Sequence, residues 1–470
     1  MSASDWADRE LHFIAIGGAG MSGLALVCHR LGARVSGSDR AESSYLRRLL
    51  EAGIDARIGH DPGAVPEGAE VVVSTAIADD NPELAVARAR GQRIIHRGEL
   101  LAELCSQKRL IAVSGAHGKT TTAGMLAWLM AGRSSYFIGG ELPGFGLRGE
   151  AANAGWEPEA EWMIAEADES DASFLELEPE IAVITNVELD HHSRWASRAE
   201  LIDAFRRFAE PAHRLVLLAD QTLDSVPTGQ RVVRFDRDRP GPPLRLRVPG
   251  AHNLLNARAA LAAAELAGIG DADELAAGLE RFPGMLRRQQ RKGSRAGAEI
   301  YDDYAHHPSE VEATLAALRE LDPRRLIAVF QPHLYSRTKA LASRFGVALA
   351  AADEVGVLDV YAAREQPRGE LAGVSGLDVA RATADRSRGR PVWWLRDAET
   401  ARRRLSGHLR EGDLLVTIGA GDIHELASQL VDEEMRAASS AQEPTNMPLA
   451  APNGTAQEDP GATGSEEGRG

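Results

Sequence analysis

A chain of 470 residues with 44% hydrophobic content is long enough for two to four domains, each able to bury its own core. Its formal net charge of −16 excludes nucleic acid or an anionic membrane surface as a general partner, because polyanions are repelled. Only Cys28 and Cys105 occur, no secretory leader opens the chain, and no apolar run approaches the roughly 20 residues of a membrane span, so a reducing, cytoplasmic setting is expected.

In chain order, short apolar runs alternate with helical patterns, which predicts an α/β fold with parallel sheets. Residues 11–16 form the first predicted strand. Gly17, Gly18, Gly20, Met21, Ser22 and Gly23 follow it and open a helix, with the spacing G-x-G-x-x-G. Glycines there let a diphosphate approach a helix N-terminus. Ser38 and Asp39 lie just beyond the next predicted strand, 33–35, and runs at 71–73 and 93–96 complete a unit over residues 1–106. Taken alone, this pattern suggests an NAD-dependent dehydrogenase. A purely structural tight turn is the simpler alternative.

The second unit, 107–292, opens on the most informative stretch of the chain. Apolar residues 110–113 lead into Gly115-Ala116-His117-Gly118-Lys119-Thr120-Thr121, and a helical apolar pattern follows. Glycines let the backbone N–H groups wrap phosphate oxygens, Lys119 can reach the terminal phosphates, and the Thr120 hydroxyl can hold magnesium. The spacing G-x-x-G-K-T is two residues shorter than the usual loop of GTPases and motors. Lys119 also stands out because lysine occurs only at 108, 119, 292 and 339. A dehydrogenase does not need this second loop. Two nucleotide sites suggest instead a nucleotide-linked substrate in one unit and ATP in the next.

Further strands are predicted at 162–165, 181–185 and 215–218. Acids follow the first (Glu166, Asp168, Glu169, Asp171), and Glu188, Asp190, His191 and His192 follow the second. In a doubly wound sheet these loops open on the edge that carries the phosphate loop. There carboxylates and an imidazole could hold Mg2+ against ATP oxygens, with Thr120 completing the site. Solvated loop charges are the bland alternative. Asn253 and Asn256 open a later helix and could read an adenine edge or serve as caps. The pair Arg287-Arg288 could send one guanidinium to a phosphate.

Polar Lys292-Gly293-Ser294 marks the second boundary. A third unit, 293–435, has predicted strands at 299–301, 326–330, 355–360, 392–395 and 414–418. The runs Asp302-Asp303-Tyr304-Ala305-His306-His307-Pro308 and Gln331-Pro332-His333-Leu334-Tyr335-Ser336-Arg337-Thr338 crowd two strand ends and suggest a binding edge. Residues 436–470 carry almost no bulky apolar side chain and are expected to be a disordered tail.

Taken together, these motifs resemble the Mur ligase family over about residues 9–432, in the family order: IGGAGMSG at 16–23, GKTTT at 118–122, EADESD at 166–171, PGAHNLLNA at 249–257, DDYAHHP at 302–308 and QPHLYSRT at 331–338. The resemblance implies a Rossmann-like N-terminal domain, a P-loop ATPase-like central domain and a Rossmann-like C-terminal domain. It implies an ATP-dependent amide-bond ligase that joins L-alanine to UDP-N-acetylmuramate through an acyl phosphate, as a monomer or homodimer. The family branch that joins a tripeptide to the same nucleotide sugar ranks second. A non-catalytic nucleotide sensor is the remaining alternative.

By the same resemblance, Gly17, Gly18, Gly20, Met21, Ser22 and Gly23 would hold the UDP diphosphate, with Ser38 and Asp39 near the uridine. Residues Gly115, Ala116, His117, Gly118, Lys119, Thr120 and Thr121, with Asn256, Arg288 and Asp303, would bind ATP. Lys119, Glu166 and His191 would carry catalysis, with Thr120, Glu166 and His191 holding Mg2+. Tyr304, His306 and Arg337 would face the lactyl carboxylate and L-alanine. The chain departs from the family pattern at Ala116 (usually Thr), Ser193 (often Asp), Gln289 (usually Phe) and Leu334 (often Arg). Some members carry a carbamylated lysine in the central domain. None is available here, because no lysine lies between Lys119 and Lys292.

Overall fold

The computed structural model describes residues 6–146, 152–188, 195–227, 231–236, 241–363 and 365–442. They form three sheets in series. The first unit contains β1 (Glu10–Ile14), β2 (Arg34–Asp39), β3 (Asp55–Ile58), β4 (Glu70–Val73) and β5 (Ile94–His96), ordered β3-β2-β1-β4-β5 and parallel throughout. The order reverses beside β1, so the crevice of a doubly wound sheet opens at its C-terminal end. There the loop of Gly17 and Gly18 leads into the helix Ala19–Arg30.

The second sheet is built from β6 (Arg109–Ser114), β7 (Ser134–Leu142), β8 (Ala152–Gly155), β9 (Trp162–Glu166), β10 (Ile181–Ile184), β11 (Arg214–Leu218) and β12 (Arg231–Phe235). Its order is β12-β11-β10-β6-β9-β7-β8, and among the described residues only β7 and β8 pair antiparallel. Central β6 is fully apolar from Leu110 to Val113 and buried, as a strand covered on both faces must be. The third sheet comprises β13 (Gln290–Arg295), β14 (Ala298–Asp303), β15 (Arg325–Phe330), β16 (Glu354–Leu358), β17 (Val392–Arg396) and β18 (Asp413–Ile418), in the order β13-β14-β18-β15-β16-β17. Its β13 and β14 pair antiparallel.

Several expectations need correction. The boundary placed at Lys292-Gly293-Ser294 falls inside β13, because that polar stretch is an edge strand whose backbone pairs with β14. The third sheet therefore begins at Gln290. The tail expected from 436 overlaps described structure: the helix His424–Gln442 continues through that point. Residues 443–470 lie outside the described residues.

The first two units do not keep separate cores. One apolar cluster runs from Trp6, Phe13 and Leu100 into Phe137, Met163, Phe174 and Phe205. The helix Ala19–Arg30 lies against β8, and a Cβ on Gly23 would come within 2.9 Å of the Ala154 Cβ. The last glycine of the G-x-G-x-x-G motif thus permits contact between two domains. Among the described residues no helix is long and apolar enough to cross a membrane.

Phe174 is fully buried, with ring centroids 5.3 Å from Phe205 and 5.2 Å from Phe208. Phe174→Ala is expected to destabilise the protein by about 3–5 kcal/mol through lost transfer energy and the cavity left behind, read as a lower denaturant midpoint.

Candidate active site

The phosphate loop is shaped by two glycines in left-handed backbone conformations, Gly115 (φ 132°) and Gly118 (φ 83°). A Cβ on Gly115 would lie 2.2 Å from Thr185 Oγ1, and one on Gly118 would lie 2.3 Å from Asn256 Oδ1. Between them, His117 is clamped by the end of β10. Its carbonyl accepts from Thr185 Oγ1 (2.6 Å) and Asn186 Nδ2 (2.8 Å), and its N–H donates to Asn186 Oδ1 (3.0 Å). The helix Lys119–Leu129 starts at Gly118 with no side-chain cap and no acid in its first turn. Its first N–H groups and positive dipole end are left for an anion.

Lys119 Nζ donates to Glu169 Oε2 (2.9 Å) and to the Gly115 carbonyl (2.6 Å). Burial works against its charge, but the carboxylates of Glu169, Asp168 and Glu166 outweigh it and raise its pKa. Desolvation opposes the charge of half-buried Asp168 as well, yet the charges of Lys119 and Arg97 push it down to about 2. Arg97, which begins the helix Arg97–Cys105 of the first unit, donates to Asp168 (3.1 Å) and Asp171 (2.9 Å). Thr120 Oγ1 donates to Glu166 Oε1 (3.0 Å), and Glu166 Oε2 accepts from Gly139 N (2.6 Å). Thr120 and Glu166 thus already present oxygens to each other. His191 and Ser193 lie outside the described residues.

A cavity of about 710 Å³ joins the three units. The phosphate loop forms one wall, and Arg288, Tyr304 and His306 form another. The Tyr304 ring lies beneath the guanidinium groups of Arg287 (4.8 Å) and Arg288 (5.2 Å). His306 is held by burial below its usual pKa, as the neutral imidazole. Asp303 also reaches this wall, but its oxygens accept from Gln289 N (2.7 Å) and Ala305 N (2.8 Å). Burial raises its pKa to about 6. Asp303 therefore organises the backbone that carries Arg288. Arg337 lies on the helix Tyr335–Leu349 and is not among the residues lining the cavity.

The G-x-G-x-x-G residues divide by role. Gly20 and Gly23 line a second cavity of about 130 Å³ with Arg97 and Asn153. Asp39 accepts from Gly17 N (2.9 Å) and so braces the turn. The Ser38 hydroxyl is buried and donates to Glu83 (2.5 Å). Met21 and Ser22 are buried within the helix, and Ser22 donates to the Ala19 carbonyl (3.1 Å).

Glu310 escaped the sequence reading. Its carboxylate lies 3.3 Å from His117 Nδ1, and Ser309 Oγ lies 3.2 Å from His117 Nε2, so the third unit grips the phosphate loop directly. The signal was a capping box: His307 caps the helix Pro308–Arg319, and Glu310 returns to the cap backbone. Arg97 left no such signal.

Family models match the whole domain series: the Mur ligase family catalytic domain over residues 10–109, the Mur ligase middle domain over 113–238, and the Mur ligase glutamate ligase domain over 287–421. A UDP-N-acetylmuramate–L-alanine ligase of Kineococcus radiotolerans is 42% identical over 462 residues, covering 90% of this chain and 96% of its own length. The chain belongs to the Mur ligase family. A relative of the same name from Mycolicibacterium vanbaalenii is 41% identical over 90% of this chain and 96% of its own. The solved UDP-N-acetylmuramate-alanine ligase of Thermotoga maritima superposes with a TM-score of 0.77 at 26% identity, covering 92% of this chain and 99% of its own. The murein peptide ligase of Psychrobacter arcticus shares the fold, with a TM-score of 0.66 at 22% identity over 90% and 98% of the two chains. Within a Mur ligase the G-x-G-x-x-G turn belongs to a ligase, and the dehydrogenase expectation falls.

Lys119→Ala and Glu166→Ala should each lower turnover at least about 100-fold by removing preorganised charge. Lys119→Ala should also lower Tm, because it strands the buried carboxylate of Glu169, and breaking such a pair costs about 3–5 kcal/mol. Near-normal turnover in Glu166→Ala would move the metal ligand elsewhere in the acidic run.

His117 shifts in the opposite direction to Asp168. Burial lowers its pKa, but Glu310 and Glu188 outweigh burial and leave it raised. A raised folded pKa gives stability that is complete below the ordinary value of 6.5 and disappears as pH rises through the folded value. The Tm advantage of the native protein over His117→Gln should therefore be largest in mild acid and shrink above neutrality.

Proposed function

We propose that this chain is an ATP-dependent ligase that joins L-alanine to UDP-N-acetylmuramate in peptidoglycan precursor synthesis, in the cytoplasm. The observation that carries the reading is the shared cavity: the phosphate loop on one wall faces Arg288, Tyr304 and His306 on the other. Identity of 42% with a ligase of that name over most of both chains supports the choice of substrates.

The substrate carboxylate attacks the γ-phosphorus of ATP, forming an acyl phosphate and releasing ADP. The alanine amine then attacks the acyl carbon, loses a proton, and phosphate departs from the tetrahedral intermediate. Lys119 supplies positive charge at the phosphates, and the uncapped helix behind it adds its dipole. Binding ATP would exchange the bond from Lys119 to Glu169 for one to phosphate. Thr120 and Glu166 would offer Mg2+ the oxygen donors that a hard cation prefers, with His191 as a nitrogen ligand beside them, and the ion would neutralise phosphate charge. Arg288 places a second cation across the cavity. The grip of Glu310 and Ser309 on His117 closes the third unit over the loop and keeps water from the acyl phosphate.

ADP release measured with UDP-N-acetylmuramate, Mg2+ and a panel of amino acids and muropeptides tests the reading. ADP should appear only with L-alanine and both other components. Preference for L-alanyl-γ-D-glutamyl-diaminopimelate would assign the chain to muropeptide recycling. Activity should not respond to removal of carbon dioxide and bicarbonate, since no lysine between Lys119 and Lys292 can form a carbamate.

A further inference from the structure

Gln289 stands at a φ of 48° in the connection between the second and third sheets, with only 5% of its surface exposed. Its side chain continues a chain of hydrogen bonds that starts at a carbonyl, so the direction of each bond is determined. The Pro249 carbonyl only accepts, and Asn253 Nδ2 donates to it (2.8 Å). This fixes the Asn253 amide, whose second hydrogen goes to Gln289 Oε1 (2.9 Å). Asn253 Oδ1 in turn accepts from Asn256 Nδ2 (3.4 Å). The Gln289 amide is thereby oriented with its NH2 group toward His252, 3.3 Å from Nε2. An NH2 group can only donate, so Nε2 must accept and the ring proton sits on Nδ1. His252 is neutral as this requires: burial and the charge of Arg288 push its pKa down to about 4. His252 and Asn253 line the large cavity with Leu218, Phe235 and Leu255, the apolar walls a flat aromatic base needs.

We propose that Gln289 is a positioning residue that holds His252 as its Nδ1–H tautomer at the base end of the nucleotide cavity, and so sets selectivity for adenine. One donor held in place separates an edge that accepts from one that donates. Adenine N1 accepts, whereas guanine N1 carries a hydrogen. The inference rests on the ATP-dependent reading above, but its first test needs no turnover.

The full chain with 15N-labelled histidine, free of nucleotide and near neutral pH, is examined by long-range 1H–15N correlation, with His252 assigned through His252→Gln. The native protein should show the Nδ1–H tautomer. Gln289→Glu keeps an acceptor for Asn253 but offers His252 no donor, so the hydrogen should move to Nε2. Gln289→Leu tests the same point without a buried charge, should the Glu variant not fold. It should raise the KM for ATP about tenfold with kcat little changed, and lower ATP-over-GTP discrimination by a similar factor. An Nε2–H or doubly protonated His252 in the native protein overturns the proposal. So does a tautomer unchanged in both variants, or unchanged base selectivity in Gln289→Leu. A different amino-acid substrate would overturn the proposed reaction and leave the His252 spectrum as predicted.

Discussion

The partly enclosed ammonium of Lys119 constrains the rest of the structure. A cation placed at the start of a helix, largely shielded from water and beside a positive dipole end, is costly unless carboxylates surround it. Glu169 and Asp168 meet that need from the loop after β9, and Glu166 from the end of β9 itself. Their own charge must then be balanced. Arg97 of the first unit does this at Asp168 and Asp171, and so ties the first domain to the acidic loop. On the other side His117, two residues before Lys119, is held by Glu310 of the third unit. Charge compensation around one loop therefore links all three domains.

The same arrangement explains how a ligand could act on the assembly. Lys119 spends its hydrogen bonds on Glu169 and on its own loop. A phosphate that takes over Lys119 leaves Glu169 without its cationic partner. The contact between His117 and Glu310 lies on the same loop, so phosphate binding and closure of the third unit bear on one short segment. The Asn253, Gln289 and His252 relay extends this coupling, because the Gln289 backbone N–H also donates to Asp303 at the end of β14.

Sequence reading recovered the central strands and the edge strands β5 and β17, but missed the polar edge strand β13. Strands β6, β9, β10, β15 and β18 are continuous apolar runs because helices cover both faces, and such runs are legible. Strand β13, Gln290-Arg291-Lys292-Gly293-Ser294-Arg295, has no apolar residue at all. It is a strand because β14 offers it a backbone to pair with. Polarity alone reads there as a linker.

By itself the sequence determined the order of α/β units, the phosphate loop and the acids that follow β9, since glycine spacing and strand-end charge depend only on local geometry. The tertiary structure decided which of those groups share a space. It gave Ser38 to Glu83 and Asp303 to two backbone N–H groups, and it left Arg337 outside the cavity lining. It brought in Arg97, Glu310 and Gln289, which lie 71, 193 and 37 positions from Asp168, His117 and His252. Pairing at that separation comes from how three sheets pack, and no local pattern records it.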